Sequence, residues 1–310
     1  MMLLVILAIF ASGLRLATPL IFSAMGGVFS ERSGVFNIAL EGIMVMGAFF
    51  AVLTTYFTNL PWLGVLAAII AGILTSLLLA VLAVHLKADQ TITGVAINLL
   101  TASFTAYLLE IIWHRSGQTD PLKNALTKNP FPVLEKIPGI GVFFAQIPIF
   151  VYIAFATVAI SYYVLWKTPF GLRVRAVGEH PRAADTVGID VYKIRYICVM
   201  ISGALAGLAG ASLSLGTINL FREGMTAGKG FIAIAAVIFG KWHPIGAMLA
   251  CIFFGLTEAI QIQASMLGLN VPSELLQALP YVATVLALVG VVGRAVGPAA
   301  GGQPYDKGEK

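Results

Sequence analysis

Eight polar side chains stand out inside apolar runs of this chain, where an unpartnered polar group is costly. Asn37 and Glu41 stand four residues apart, so on a helix they point the same way. Asn98 opens a stripe that continues through Thr101 and Thr105, and Glu258 shares a face with Gln261. Arg15 adds a cation to the first apolar run, where an acidic neighbour would neutralise it. An ionisable group at the centre of a bilayer costs at least about 2.5 kcal/mol unless it is paired or wet. Two readings stay open for each residue: a hydrogen bond between helices, or a place along a polar path.

Other chemistries find less support. The segment 224–230 approaches a phosphate loop, but it has one residue too few between its glycines and lacks the hydroxyl that holds magnesium. There is no pair of histidines at zinc-protease spacing and no Gly-x-Ser-x-Gly elbow. His85, His114, His180 and His243 fall at the ends of apolar runs or between them, which fits interfacial polar residues better than metal ligands. Cys198 and Cys251 lie within apolar runs and act as small hydrophobes. Glu41, Glu110 and Glu258 are the only carboxylates in the runs, too sparse a set for a proton relay.

The elements that position these residues follow from composition. Of 310 residues, 59% are hydrophobic and 11% charged, with a mean hydropathy of +0.93. A soluble domain carries about 25% charged residues, so most of this surface faces lipid. Apolar windows near 2–25, 36–57, 62–84, 92–113, 147–166, 196–217, 244–264 and 275–293 predict an all-α, polytopic helical membrane protein of about eight spans, eight to ten at the limits. No basic residue precedes Arg15, so the N-terminus reads as the first span rather than a cleaved leader. The apolar stretch 230–240 is too short to cross and predicts a half-helix buried in protein. Gly34, Ile38 and Ala39 echo Gly230, Ile234 and Ala235, which suggests an internal pseudo-repeat.

Two polar loops flank the fifth span. The first, 114–146, is rich in proline and carries four basic residues; the second, 167–195, carries six. The positive-inside bias puts 167–195 in the cytoplasm and accounts for the net charge of +5 without nucleic acid. Residues 1–296 thus form the membrane domain, and 297–310 a polar, disordered C-terminal tail. The small residues of 203–210 let a neighbouring helix approach closely, with packing inside the chain favoured over a partner subunit. In 167–195, the chain breaks at Gly171, and a short amphipathic helix runs from Pro181 to Val187, stopped by Gly188. Such an element docks on a cytoplasmic partner or caps the span ends.

That loop carries a resemblance. Its pattern of Gly171, Arg173, Arg175, Gly178, Glu179, Pro181, Ala183, Ala184 and Gly188 resembles the coupling loop of bacterial ABC import permeases serving branched-chain amino acids, simple sugars and nucleosides. Residues 18–42 resemble the nucleoside branch, and Phe231 to Gly240 with Pro244, Gly246 and Ala247 resembles a second block of the family.

The resemblance implies a plasma-membrane subunit, not itself an enzyme, that forms half of an ATP-driven path for nucleosides. A second, related permease supplies the other half as a heterodimer, with a cytoplasmic ABC ATPase and an extracytoplasmic substrate-binding lipoprotein. It implies no cofactor on this chain, with ATP and magnesium on the ATPase, and an ATPase contact at 173–188. Within that frame Asn37, Glu41, Asn98, Glu258 and Gln261 are the expected substrate contacts, their amides and carboxylates suited to a base or a ribose. The alternatives are a simple-sugar or branched-chain amino-acid permease, or a stand-alone secondary transporter.

Overall fold

A computed structural model describes residues 2–127, 143–144, 146–266 and 296–307. In lipid a long apolar run must satisfy its own backbone, so it folds as a helix. The helices are α1 (Met2–Arg32), α2 (Leu40–Thr58), α3 (Pro61–Ala80), α4 (Gln90–Trp113), α5 (Ile149–Lys167), α6 (Pro169–Glu179), α7 (Pro181–Thr186), α8 (Val191–Leu213), α9 (Lys229–Phe239) and α10 (Pro244–Met266). A π-helical turn extends α3 through Val81–His85 and another extends α8 through Ser214–Ile218. No strand forms among the described residues, only an isolated bridge between Gln118 and Arg222.

Seven helices among the described residues are long and apolar enough to cross a membrane, matching seven of the eight expected windows. The eighth, 275–293, lies outside the described residues. The bundle is built around α8, whose apolar window is 72% buried, against 22% for the peripheral α4. Helices α1, α2 and α3 surround α8, and α10 packs along α1.

The small residues of α8 serve packing within the chain. A Cβ built on Gly203 would stand 2.4 Å from the Gly72 carbonyl oxygen and 2.0 Å from Ser76 Oγ on α3. Gly207 meets Ala68 and Gly72, and Gly210 meets Met44 and Ala48 on α2. Gly203→Val should therefore lower stability by about 3 kcal/mol through overpacking. The check is the thermal unfolding midpoint in detergent, with the less confined Ala204→Val as control; an unchanged midpoint for Gly203→Val would remove the α3–α8 contact.

Two interruptions of helix shape the interior. After α1 the chain runs through 33–39 before helix resumes at Leu40. Gly34 lies beside Arg195 and Asn37 bonds Ser202. Those α8 residues are about 10 Å apart along the axis, so irregular backbone climbs that far into the bundle. Membrane depth tolerates this only where protein supplies every partner. Phe36 N donates to Gln90 Oε1 (2.7 Å), Ser30 Oγ donates to Val35 O (2.8 Å), and Asn98 Nδ2 donates to Ile38 O (3.0 Å).

The second interruption is the expected half-helix, found as the 11 residues of α9. It rises about 16 Å, half of a hydrocarbon layer of roughly 30 Å. Its Phe239 end leads to Trp242, whose backbone carbonyl accepts from Arg32 Nε (3.0 Å) at the end of α1. Its Lys229 end lies in the interior beside the start of α2. The positions of the internal echo lie in different local structures: Gly34 in the turn after α1 at φ 90°, Gly230 in the first turn of α9.

Both bundle ends carry ordered chain. At the end opposite 167–195, the loop after α4 bonds the segment after α8, Thr119 N to Phe221 O (2.9 Å) and Leu122 N to Asn219 O (2.8 Å). At the basic end, residues 296–307 dock across the helix ends with Ala300 and Tyr305 buried. The tail expected to be disordered is, over 296–307, a strap. Polar composition argued for disorder, but hydrogen bonds, two ion pairs and the buried Ala300 and Tyr305 hold it in place.

Candidate translocation site and coupling surface

The first N–H groups of any helix lack partners within it, and α9 begins inside the bundle, with Lys229 and Gly230 buried. Glu41, in the first turn of α2, supplies what is missing. Its Oε1 accepts from Gly228 N (2.9 Å) and its Oε2 from Gly230 N (2.6 Å). A carboxylate there meets the positive end of the helix dipole through charge-assisted bonds. Gly230 has to be small, since a Cβ would stand 2.4 Å from Glu41 N.

Between these glycines, Lys229 turns to α10. Its Nζ donates to both oxygens of Glu258, at 2.7 and 2.8 Å, with the lysine side chain 10% exposed and the glutamate 30%. Two carboxylates predicted from sequence thus converge on one helix start, joined by a cation that sequence reasoning left as a flank. The available signal was a lysine between two glycines at the head of a short apolar run.

The other expected site residues fall close by or on neighbouring helices. Asn37 is fully buried; its Nδ2 donates to Ser202 Oγ (2.9 Å), and its Oδ1 has no hydrogen-bond partner. Asn98 accepts from Gly42 N (2.7 Å) as well as donating to Ile38 O, which ties α4 to the broken segment. Thr101 and Thr105 bond back to their own helix at Ile97 O and Thr101 O. Gln261 lies three residues beyond Glu258 and is partly exposed. Arg15 makes no ion pair among the described residues, and its buried Nε lacks a hydrogen bond. Among the described residues no cluster of His, Cys, Asp and Glu could hold a metal.

At the basic end the chain projects as two short helices. Pro169 starts α6, and Thr168 Oγ1 accepts from Gly171 N (3.2 Å) as its cap. Gly171 is therefore inside a helix rather than at a break. It packs so tightly on α5 that a Cβ would stand 2.3 Å from the carbonyl oxygens of Val164 and Leu165. A break assigned to glycine overlooked the stronger signal of Thr168-Pro169, a cap followed by a proline that starts helices well. The second helix, α7, starts at Pro181 as expected and ends before Gly188 at φ 85°, where Gly188 N and Ile189 N bond Asp185 O and Ala184 O.

Buried Gly178 rests on α1, where a Cβ would stand 2.1 Å from Arg32 O. Glu179 faces outward and pairs with Arg32 at 3.8 Å. Arg32 and Arg175 both lie over the Trp166 ring, at 5.6 and 5.5 Å, and His243 stands edge-on to it at 4.6 Å. Burial, and then the Arg32 cation, hold the His243 pKa below the ordinary histidine value. The outer edge of the projection is open: Arg173, Arg182, Ala183 and Gly188 are exposed, and Val187 is 75% exposed. The inner residues Gly178 and Ala184 are buried against the bundle. The projection thus has a fixed base and a free rim with an apolar tip, suited to burial by another chain.

Comparison with known proteins agrees with this architecture. Residues 9–288 match the family described as branched-chain amino acid transport system, permease component. The guanosine ABC transporter permease protein NupQ of Bacillus subtilis is 48% identical over 304 residues, 95% of each chain. The nucleoside ABC transporter permease protein NupC of Lactococcus lactis is 42% identical over 308 residues, 96% of each. In architecture the chain resembles a structure described as an inward-facing conformation of a metal-chelate type ABC transporter, with a TM-score of 0.52 over 93% of this chain and 96% of the other at 15% identity. Its membrane helices, its projecting helix pair and these likenesses together establish the chain as a multi-pass ABC permease of the bacterial plasma membrane, a member of the family of branched-chain amino acid transport system permease components.

Proposed function

We propose that this chain is one permease subunit of an ATP-driven importer of nucleosides. The observation that carries the substrate class is the full-length similarity to relatives named for guanosine and for nucleosides. A second, related permease completes the path as a heterodimer, an ABC ATPase docks on 171–188, and a binding lipoprotein delivers substrate on the opposite side. No cofactor binds this chain, and ATP and magnesium act on the ATPase. The membrane domain ends near 296, and 297–310 follows as its polar tail.

The solute path passes the start of α9. Glu258, 30% exposed, and the partly exposed Gln261 present acceptors and donors there, while Asn37, fully buried against Ser202, backs the broken segment. Glu41 and Asn98 shape the path by fixing α9 and the broken segment.

The test is uptake of labelled nucleosides into vesicles holding the chain with its partner permease, ATPase and binding protein. Uptake should require ATP and be blocked by excess guanosine; uptake by this chain alone without ATP would refute the ABC reading. ATP-driven uptake of sugars or branched-chain amino acids instead would move the substrate class. For the docking site, Glu179→Ala and deletion of 181–188 should leave ATP hydrolysis running while uptake falls at least tenfold. Unchanged coupling would overturn that assignment.

A further inference from the structure

Residues 296–307 touch nearly every element at the basic end. From the side of the projecting helices, Ala300 N donates to Gly178 O (2.9 Å), Ala299 N donates to Glu179 Oε2 (3.3 Å), and Lys307 pairs with Asp185 (3.1 Å). From the side of the bundle, Gly302 N donates to Gly34 O (3.2 Å), Tyr192 Oη donates to Tyr305 O (3.2 Å), and Lys87 pairs with Asp306. The middle of the segment is pinned by Arg195, a guanidinium with 1% exposure. Arg195 Nη1 donates to Gln303 O (3.0 Å), while its Nε and Nη2 have no hydrogen-bond partner. Lifting the segment would take the hydrogen-bond acceptor from a buried cation, a heavy cost for so short a stretch of chain.

The Gly34 turn is where the interior begins. From it the backbone climbs through Asn37 to Glu41, and Glu41 holds the start of α9 by two hydrogen bonds. Polar contacts therefore link α6 through 299–302, and α7 through Lys307, to a strap that reaches the Gly34 turn, from which the chain leads through Asn37 to Glu41 and the charged cluster. Direct packing of Gly178 on Arg32 provides one route to the end of α1. The strap provides a second that also takes hold of α8 and the turn between α3 and α4.

We propose that residues 296–307 are a transmission strap that fixes the projecting helices to the broken segment and carries their displacement to the start of α9. This rests on the reading of 171–188 as the ATPase docking site. Two variants in the full complex test it: a chain ending at residue 295, and Gly302→Pro, which removes the N–H bonded to Gly34 O at a position with φ 75°. The readouts are copurification of the ATPase and the ratio of ATP hydrolysed to guanosine imported.

The expected result is an assembled complex in which hydrolysis continues and the ratio rises at least tenfold. An unchanged ratio in an assembled complex of either variant would overturn the proposal. So would failure of both variants to assemble, because the segment would then serve folding alone. Glu179→Ala and the 181–188 deletion, measured alongside, separate the two readings. If they uncouple while the strap variants do not, the strap alone falls; if they too stay coupled, the docking assignment falls with it.

Discussion

Lys229→Met should lower the stability of the chain by about 3–5 kcal/mol, because it leaves the Glu258 carboxylate without its partner inside the bilayer. Nucleoside uptake should fall at least a hundredfold with it. Glu258→Gln should cost less, since the amide oxygen still accepts from the lysine. The informative variant is the double change Lys229→Met with Glu258→Leu. Replacing a buried ion pair by apolar side chains is often nearly neutral, so the double variant should regain most of the stability lost by the first single. Unfolding of the parent chain, Lys229→Met, Glu258→Leu and the double variant in detergent measures all four corners of the cycle. If the double variant is as unstable as the sum of the singles, the pair does not form in the protein. Stability restored without uptake would separate a role in transport from a role in folding.

Glu41→Ala is expected to rank beside it. The substitution strips the acceptor from two backbone N–H groups at a helix start inside the bundle. At about 1.5–3 kcal/mol for each hydrogen bond to a charged group, the loss is about 3–6 kcal/mol. Glu41→Gln keeps one acceptor and turns donors toward another donor, so roughly half of the loss should remain. Glu41→Asp is shorter by one methylene and should resemble alanine more than glutamine. Melting temperature and uptake rate report together here: loss of melting temperature in the order Gln, then Asp and Ala identifies capping as the role. Equal melting temperatures with uptake lost only in Ala would mean that Glu41 meets the solute and does not cap α9.

The spans were legible because a lipid solvent leaves a long apolar run no alternative to helix. The same physics marked Glu41 and Glu258: a carboxylate inside such a run must have a reason, and both have one. It also marked α9, whose length and glycine borders rule out a crossing. What remained hidden was who meets whom. Lys229 is 29 residues from Glu258 and nearly 190 from Glu41, and only the packing of α1, α2 and α10 brings the three to one helix start. The strap was hidden for another reason. Its sequence is polar and short, and the groups that hold it are mostly backbone N–H and C=O, which carry no sequence signature. Gly171 was misread because glycine can break a helix or allow one to pack closely, and the choice depends on the α5 backbone behind it.

The half-helix α9 also constrains the order in which the chain is built into the membrane. Eleven residues cannot be handed to the bilayer as an independent segment of about 20, and α9 opens on a lysine whose insertion alone would cost about 2.5–3.5 kcal/mol. Its cap waits in a helix synthesised long before, but its counter-ion arrives 29 residues later, at Glu258. During synthesis, the stretch between α8 and α10 is therefore left at the membrane surface until α10 has crossed, and only then folds inward against Glu41. A nascent chain halted before Glu258 would carry that stretch outside the bilayer, open to surface proteases, although every helix before it is already in place.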